Sequence, residues 1–354
     1  MARDMLNDAT WLNSVSLLSL KDGLVLIGYG PYQKYTNLET IDPEKPVFFV
    51  QDFFLSSNDA WLQHEYSEEL SAKELKQHLK TFPQQQIDWQ THDQATFETA
   101  FSQLKSLFTE KKLEKAVPYI FTFTSELMTL NQLSNSLYQA LDFLQDYPGY
   151  LYGHWSNNQG FLGLTPETLF EYQANQHIIK TMALAGTKKV ENSHEFINNQ
   201  KELREHQLVI EGLKESLAST GKIHIGETSI LKLPKLCHLY TPIEIECQGA
   251  FDFEAIVRCM HPTPALGAFP KEAGKKWLAD YQAKINRRSY GAPFGVYLIE
   301  KGYALCLVGI RQVQWDENGM RIGAGCGIIK ESLLEKEWQE IALKTASIRK
   351  LLAL

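Results

Sequence analysis

Two neighbouring stretches limit the fold more than anything else in the chain. Tyr150–Leu164 alternates apolar and polar positions around Asn157–Gly160, and Leu169–Ala185 repeats the style around Gln173–Gln176. Alternation with period two, broken by turn-forming residues, predicts antiparallel hairpins. Further β-branched and aromatic runs have strand length: Gly23–Gly30, Pro46–Phe54, Lys115–Phe123, Gly295–Glu300 and Tyr303–Gln314. Pro118, inside the third of these, belongs at an edge or a bulge because it lacks an amide proton. Helical spacing is present at Ser71–Phe82, Thr96–Lys111, Asn131–Tyr147, Glu195–Ser219, Phe251–Met260 and Lys271–Ile285. Strands outnumber helices and do not alternate with them regularly. The expected class is α+β, with large antiparallel sheets packed with helices rather than a doubly wound parallel sheet. No sharp boundary is marked. Residues 1–90 read as a mostly-β N-terminal subdomain docked on a core of residues 91–354.

Composition narrows the function classes. With 354 residues the chain can bury a sizeable core, and a net charge of −7 argues against nucleic acid or an anionic membrane as its partner. The five cysteines form no C-x-x-C and mostly lie in apolar runs, so neither a disulfide framework nor a structural zinc is expected. The N-terminus has acidic residues and no secretory apolar core, and no run is long enough to span a bilayer. A reducing, cytoplasmic setting follows as the expectation.

Several residues stand out chemically. In Gly323–Lys344 (GAGCGIIKESLLEKEWQEIALK), small residues that favour a tight turn lead into a helical run. There Glu337, Glu340 and Lys344 share a face, with Trp338, Ile341 and Leu343 packing elsewhere. Glu202 and Glu205 form a second acidic pair on a helix whose apolar positions include Leu203, Leu208, Ile210 and Leu213. Each pair reads as a solvated helix face or as half of a site for a hard cation such as Mg²⁺. Lys115 reads as a solvated strand end or as a buried amine able to take a proton from water. Glu167 reads as an exposed turn carboxylate or as a general acid in an apolar pocket. Ala183–Lys189 ends a strand in Gly-Thr, either a plain turn or an anion contact through backbone N–H groups. Arg311, in an apolar strand, needs a partner or an edge position, and His238 reads as a core histidine before a catalytic one. No Ser/His/Asp spacing, H-E-x-x-H, Walker A or Rossmann fingerprint occurs.

Taken in order, the motifs KAV, GLTPETL, ALAGT, ELREHQLV, CHLYTP, MHPTPALGAFP, SYGAPFG, GIRQV and GAGCGI…EWQEIALK resemble those of the chorismate-utilising enzymes. That family includes anthranilate synthase large subunits, aminodeoxychorismate synthases, salicylate synthases and isochorismate synthases. The resemblance runs from about Lys115 to Leu351 and is closest to isochorismate synthases, because Lys115 and Ala185 stand where the amine-transferring branches carry other residues. It implies the fold of the anthranilate synthase large subunit and a Mg²⁺-dependent isomerisation of chorismate to isochorismate. The alternative it leaves is a salicylate synthase, which goes on to eliminate pyruvate.

By resemblance, Glu205 and Glu340 bind Mg²⁺ directly, and Glu202 and Glu337 bind it through water. Arg311, Tyr290 and the amides of Gly323 and Gly325 hold the enolpyruvyl carboxylate, and Lys344 balances charge near the metal. Lys115 is the base, Glu167 the acid, and Gly186, Ala265, Leu266 and His238 surround the substrate. A monomer without a glutaminase subunit is implied. The product would serve menaquinone, siderophore or salicylate biosynthesis. The chain departs from the family pattern at Pro118-Tyr119 and Cys326, and residues 1–90 carry no firm match.

Overall fold

A computed structural model of the chain describes residues 6, 9–91, 93–145, 148–196, 199–233 and 236–354. In chain order the strands are β1 (Ser14–Ser19), β2 (Leu24–Tyr35), β3 (Val47–Val50), β4 (Trp61–Ser71), β5 (Lys115–Ala116), β6 (Tyr119–Thr124), β7 (Tyr150–Ser156), β8 (Gln159–Thr165), β9 (Thr168–Gln173) and β10 (Ile178–Lys189). They continue with β11 (Gly221–Ile225), β12 (Ser229–Lys232), β13 (Leu236–Cys247), β14 (Ala268–Phe269), β15 (Pro293–Leu298), β16 (Tyr303–Val308), β17 (Gln312–Asp316), β18 (Gly319–Gly325) and β19 (Ile328–Ile329). The helices are α1 (Ala72–Gln77), α2 (Gln94–Thr109), α3 (Leu130–Leu144), α4 (Gln200–Leu217), α5 (Phe253–Met260), α6 (Lys271–Lys284) and α7 (Leu334–Leu351).

The fold is α+β, as expected. One sheet of 16 strands runs β11-β13-β10-β9-β16-β15-β3-β4-β2-β1-β7-β8-β17-β18-β6, with β12 paired to β13, and a small sheet runs β14-β5-β19. Every pairing is antiparallel. Both anticipated hairpins form. The β7–β8 turn places Asn157 and Asn158 at φ 52° and 62°, the left-handed pair that matches the twist of two-residue hairpins. The strands of residues 1–90 are hydrogen-bonded into the large sheet, β3 against β15 and β1 against β7.

Helices cover the sheet through apolar stripes. Val209, Ile210, Leu213 and Leu217 of α4 pack in one core with Ala183 of β10 and Ile243 and Ile245 of β13. Phe97, Phe101, Leu104 and Phe108 of α2 share another with Ala116, Tyr119, Ala268 and Ile341, which ties the small sheet to α7. The five cysteines are unpaired. No helix among the described residues is long and apolar enough to cross a membrane.

Several expected elements are redrawn. Lys115–Phe123 splits at Val117–Pro118, so β5 and β6 belong to different sheets. The helix expected over Ser71–Phe82 stops at Gln77, because the backbone of Lys80 and Phe82 bonds to the Ser134 and Asn135 side chains on α3. Pro46–Phe54 is a strand only over Val47–Val50; the Asp52 side chain then takes the amides of Phe54 and Ser56 and turns the chain. α4 begins at Gln200, after a 3₁₀ turn at Val190–Glu195, with the Asn199 side chain accepting from the Glu202 amide. Of the expected helix spans, Asp146, Tyr147, Ile197 and Asn198 lie outside the described residues.

Candidate active site

Lys115 opens β5, the central strand of the small sheet, paired with Phe269 of β14 and Ile329 of β19. That position buries it completely. Its Nζ lies 3.3 Å from Glu205 Oε1. Burial holds its pKa below the ordinary lysine range, against the opposing charges of Glu205 and Glu167. Glu167 sits in the bend between β8 and β9, where its amide donates to Thr165 Oγ1 at 3.2 Å and its carbonyl accepts from the Val308 amide at 3.0 Å. Burial pushes the Glu167 carboxyl up to about 7, although Lys115, Lys344 and Arg311 pull the other way. One cavity is lined by a carboxyl whose acid form burial favours, and a lysine whose charged form burial disfavours adjoins it through Glu205.

That cavity has a volume of about 640 Å³ including its mouth. Its walls include Glu167, Gly186, Glu205, His238, Ala265, Leu266, Tyr290, Arg311, Gly323, Gly325, Glu340 and Lys344. Lys115 adjoins it beneath Glu205. The two glycines are there for room. β18 runs straight through Gly323 and Gly325, which corrects the expected tight turn. A Cβ on Gly323 would come within 2.7 Å of Phe121 and 2.8 Å of Tyr290, and one on Gly325 within 2.8 Å of the Pro118 carbonyl. Gly186 likewise does not end a strand. It lies in a bulge of β10 at φ 72°, where a Cβ would meet Glu202 Oε2 at 2.6 Å.

Arg311 corrects the sequence reading too. The expected strand Tyr303–Gln314 breaks at Gly309–Arg311, where Gly309 exchanges backbone bonds with Gly291 and Ala292 and Arg311 takes φ 54°. The break re-aims the guanidinium into the cavity, where Nη2 meets His238 Nε2 at 2.6 Å. His238 Nδ1 lies 2.7 Å from the Gly186 carbonyl. Tyr290 is held by the wholly buried Arg287, whose Nε donates to the Tyr290 carbonyl at 2.9 Å. The Arg287 guanidinium lies 3.5 Å from the Phe53 ring centre, and burial lowers its pKa to about 10.

The acidic pairs of α4 and α7 do meet. Glu202, Glu205 and Glu337 are buried, and Glu340 is held by Lys344 at 2.7 Å, which also donates to the Gly325 carbonyl at 2.8 Å. Between them stands Lys201, its Nζ 2.9 Å from Glu205, 3.1 Å from Glu337 and 3.5 Å from Glu202. Around that ammonium the carboxylates are spread: among the described residues no three acidic, His or Cys groups are gathered closely enough to share an ion. The donor set still suits a hard divalent cation, since every oxygen is a carboxylate and Glu202 Oε2 is buried without a hydrogen-bond partner among the described residues. Burial raises Glu202 and Glu337 above the usual carboxylate range; it opposes the charge of Glu205 too, but Lys201 and Lys115 outweigh it there and hold Glu205 low.

Glu167, Gly186, Glu205, His238, Ala265, Leu266, Tyr290, Arg311, Gly323, Gly325, Glu340 and Lys344 thus line one cavity, with Lys115 against Glu205. Glu202 and Glu337 face an adjoining open cavity of about 1020 Å³, which shares Thr187 and Glu340 with the first. Leu203 and Leu343, expected to pack, are exposed. Lys201 and Arg287 carry no reading in the sequence, and Cys326, a departure from the family pattern, lines the first cavity. Lys201 was open to detection as an i, i+4 partner of Glu205.

The family model described as "Chorismate binding enzyme" matches residues 45–353. The salicylate biosynthesis isochorismate synthase of Pseudomonas aeruginosa is 29% identical over 220 residues, 59% of this chain and 45% of that protein. Isochorismate synthase MenF of Haemophilus influenzae is 28% identical over 247 residues, 65% of this chain and 56% of that protein. The match spans about half the length of these curated relatives. Among solved structures, MenF of Escherichia coli aligns with a TM-score of 0.79 at 19% identity, covering 97% of this chain and 91% of that one. Anthranilate synthase component I of Streptococcus pneumoniae aligns with a TM-score of 0.70 at 14% identity, covering 95% and 90%. The structural likenesses show the fold.

Proposed function

The chain belongs to the chorismate-binding enzyme family, and from that premise we propose that it is an isochorismate synthase. The observation that carries the reading is the pair Lys115 and Glu167, a buried amine with lowered pKa against Glu205 and a buried carboxyl raised to about 7 in the cavity wall. Lys115 takes a proton from water as its oxygen bonds to C2 of chorismate. The two ring double bonds shift, the C4–O bond breaks, and Glu167 gives its proton to the departing hydroxyl, which leaves as water. One hydroxyl enters and one leaves, so no co-reactant is consumed.

The remaining residues position the ring. Arg311, Tyr290 and the amides of Gly323 and Gly325 take the enolpyruvyl carboxylate, with Lys344 offsetting negative charge beside them. Gly186 leaves room for the substrate, Ala265 and Leu266 wall the ring, and His238 orients Arg311. Glu205 and Glu340 would hold Mg²⁺ directly, with Glu202 and Glu337 acting through water, and the ion would supply the positive charge that fixes the ring carboxylate. The five unpaired cysteines support a reducing, cytoplasmic setting. We read the chain as acting alone on chorismate, without a glutaminase subunit, as a monomer.

Incubating the protein with chorismate and Mg²⁺ and separating the products tests this. Isochorismate without pyruvate is the expected output. Pyruvate with salicylate as the main output would replace the reading with a salicylate synthase. Mg²⁺-dependent binding without conversion would leave only a chorismate binder.

A further inference from the structure

Lys201 occupies the middle of the four-glutamate cluster. Its ammonium touches a carboxylate oxygen of Glu205 at 2.9 Å, of Glu337 at 3.1 Å and of Glu202 at 3.5 Å, and so joins α4 to α7. Four carboxylates cannot be gathered there without a compensating cation, because each would lose hydration and repel the others. The compensation is incomplete. Glu202 Oε2 remains without a hydrogen-bond partner among the described residues, and Glu340 pairs with Lys344 instead. Lys201 also has somewhere to go. Its side chain is 17% exposed, and it lines the open cavity together with Lys188, Glu202, Lys336 and Glu337. A four-carbon stem carrying a point charge can swing out without disturbing the backbone.

We propose that Lys201 is an internal counter-cation that holds the ion-free site together and that a divalent cation displaces into the open cavity. The inference rests on the Mg²⁺ reading above. It makes ion binding an exchange: the ammonium leaves as the dication arrives, the helices stay joined through the ion, and Glu202 Oε2 gains its partner. Because the lysine must be expelled first, the wild-type site binds Mg²⁺ more weakly than its carboxylates alone would.

Two measurements test it. Calorimetric titration with MgCl₂ should show Lys201→Met binding about tenfold more tightly than wild type. In the wild-type protein, acetic anhydride labelling read by peptide mass spectrometry should find Lys201 protected without Mg²⁺ and labelled about tenfold faster with it. The second measurement needs no variant, so it decides the matter even where Lys201→Met fails to fold. Equal or weaker Mg²⁺ affinity in a folded Lys201→Met, or unchanged labelling at saturating Mg²⁺, overturns the exchange while leaving the metal reading intact. No Mg²⁺ binding by the wild type, or binding that Glu205→Gln leaves unaltered, overturns the metal reading itself.

Discussion

Arg311 donates from Nη2 to His238 Nε2 at 2.6 Å, while Nδ1 of the same ring lies 2.7 Å from the Gly186 carbonyl. A carbonyl only accepts, so Nδ1 carries the ring proton and Nε2 is the lone-pair side that faces the guanidinium. His238 is therefore a neutral spacer between the β10 bulge and Arg311. Burial, then the charges of Arg311 and Lys344, keep its pKa well below the ordinary histidine range.

Replacing His238 with Ala removes a group that helps to orient Arg311. The expected result is a KM for chorismate raised about tenfold with a smaller change in kcat, since ground-state anchoring is lost while Lys115 and Glu167 remain. His238→Gln, which can keep one acceptor toward Arg311, should recover part of the loss in steady-state assays.

Lys115→Ala and Glu167→Gln should each lower kcat by about 10²- to 10⁴-fold. Circular dichroism distinguishes lost chemistry from lost fold. Glu167→Gln keeps the shape of Glu, whereas Lys115→Ala takes one counter-charge from the buried Glu205 and should also lower stability.

The pH dependence follows from Glu167. As a proton donor it must be protonated, so kcat/KM should fall as pH rises through about 7. Stability moves in the same direction. A carboxyl with a folded pKa of about 7 against 4.5 unfolded binds more protons in the folded state between those values. Its contribution is complete below pH 4.5 and is lost as pH rises through about 7. Urea unfolding of wild type and Glu167→Gln at pH 5 and pH 8 should show an extra loss in the wild type, on the order of 3 kcal/mol at most.

Gly327→Ala should be as damaging as a catalytic substitution. A Cβ there would lie 2.0 Å from Glu205 Oε1 and 2.7 Å from Lys115 Cε, and Glu205 is already confined by Lys115 and Lys201. Turnover should drop about 10²-fold, and stability by about 1–3 kcal/mol. Parallel activity and thermal-unfolding measurements check both.

The hairpins at β7–β8 and β9–β10 were legible because alternation and turn residues coincide there. Lys115 and Glu167 became legible only through ordered motifs. Nothing in periodicity says that a lysine opening a strand will be buried by β14 and β19 on either side. Strand β4 escaped notice because its outer half carries Glu65, Glu68 and Glu69 and breaks any apolar rhythm. Arg311 looked like a strand residue because a left-handed arginine leaves no local signature; the Gly309 contacts that impose it come from Gly291 and Ala292. Lys201 carries no reading in the sequence because its role depends on α7, which brings Glu337 within 3.1 Å of it.

The order of strands in the large sheet has a consequence for the life of the nascent chain. β3, β4, β2 and β1 stand in its middle, between β15 and β7. Phe49 pairs with Gly295, so β3 waits for a strand made much later in the chain. Until the ribosome has released residues 293–298, β3 presents an unpaired edge of Val47, Phe48 and Phe49, and the two flanks of the site have no strand joining them. During that interval the bare edge can template pairing with another chain.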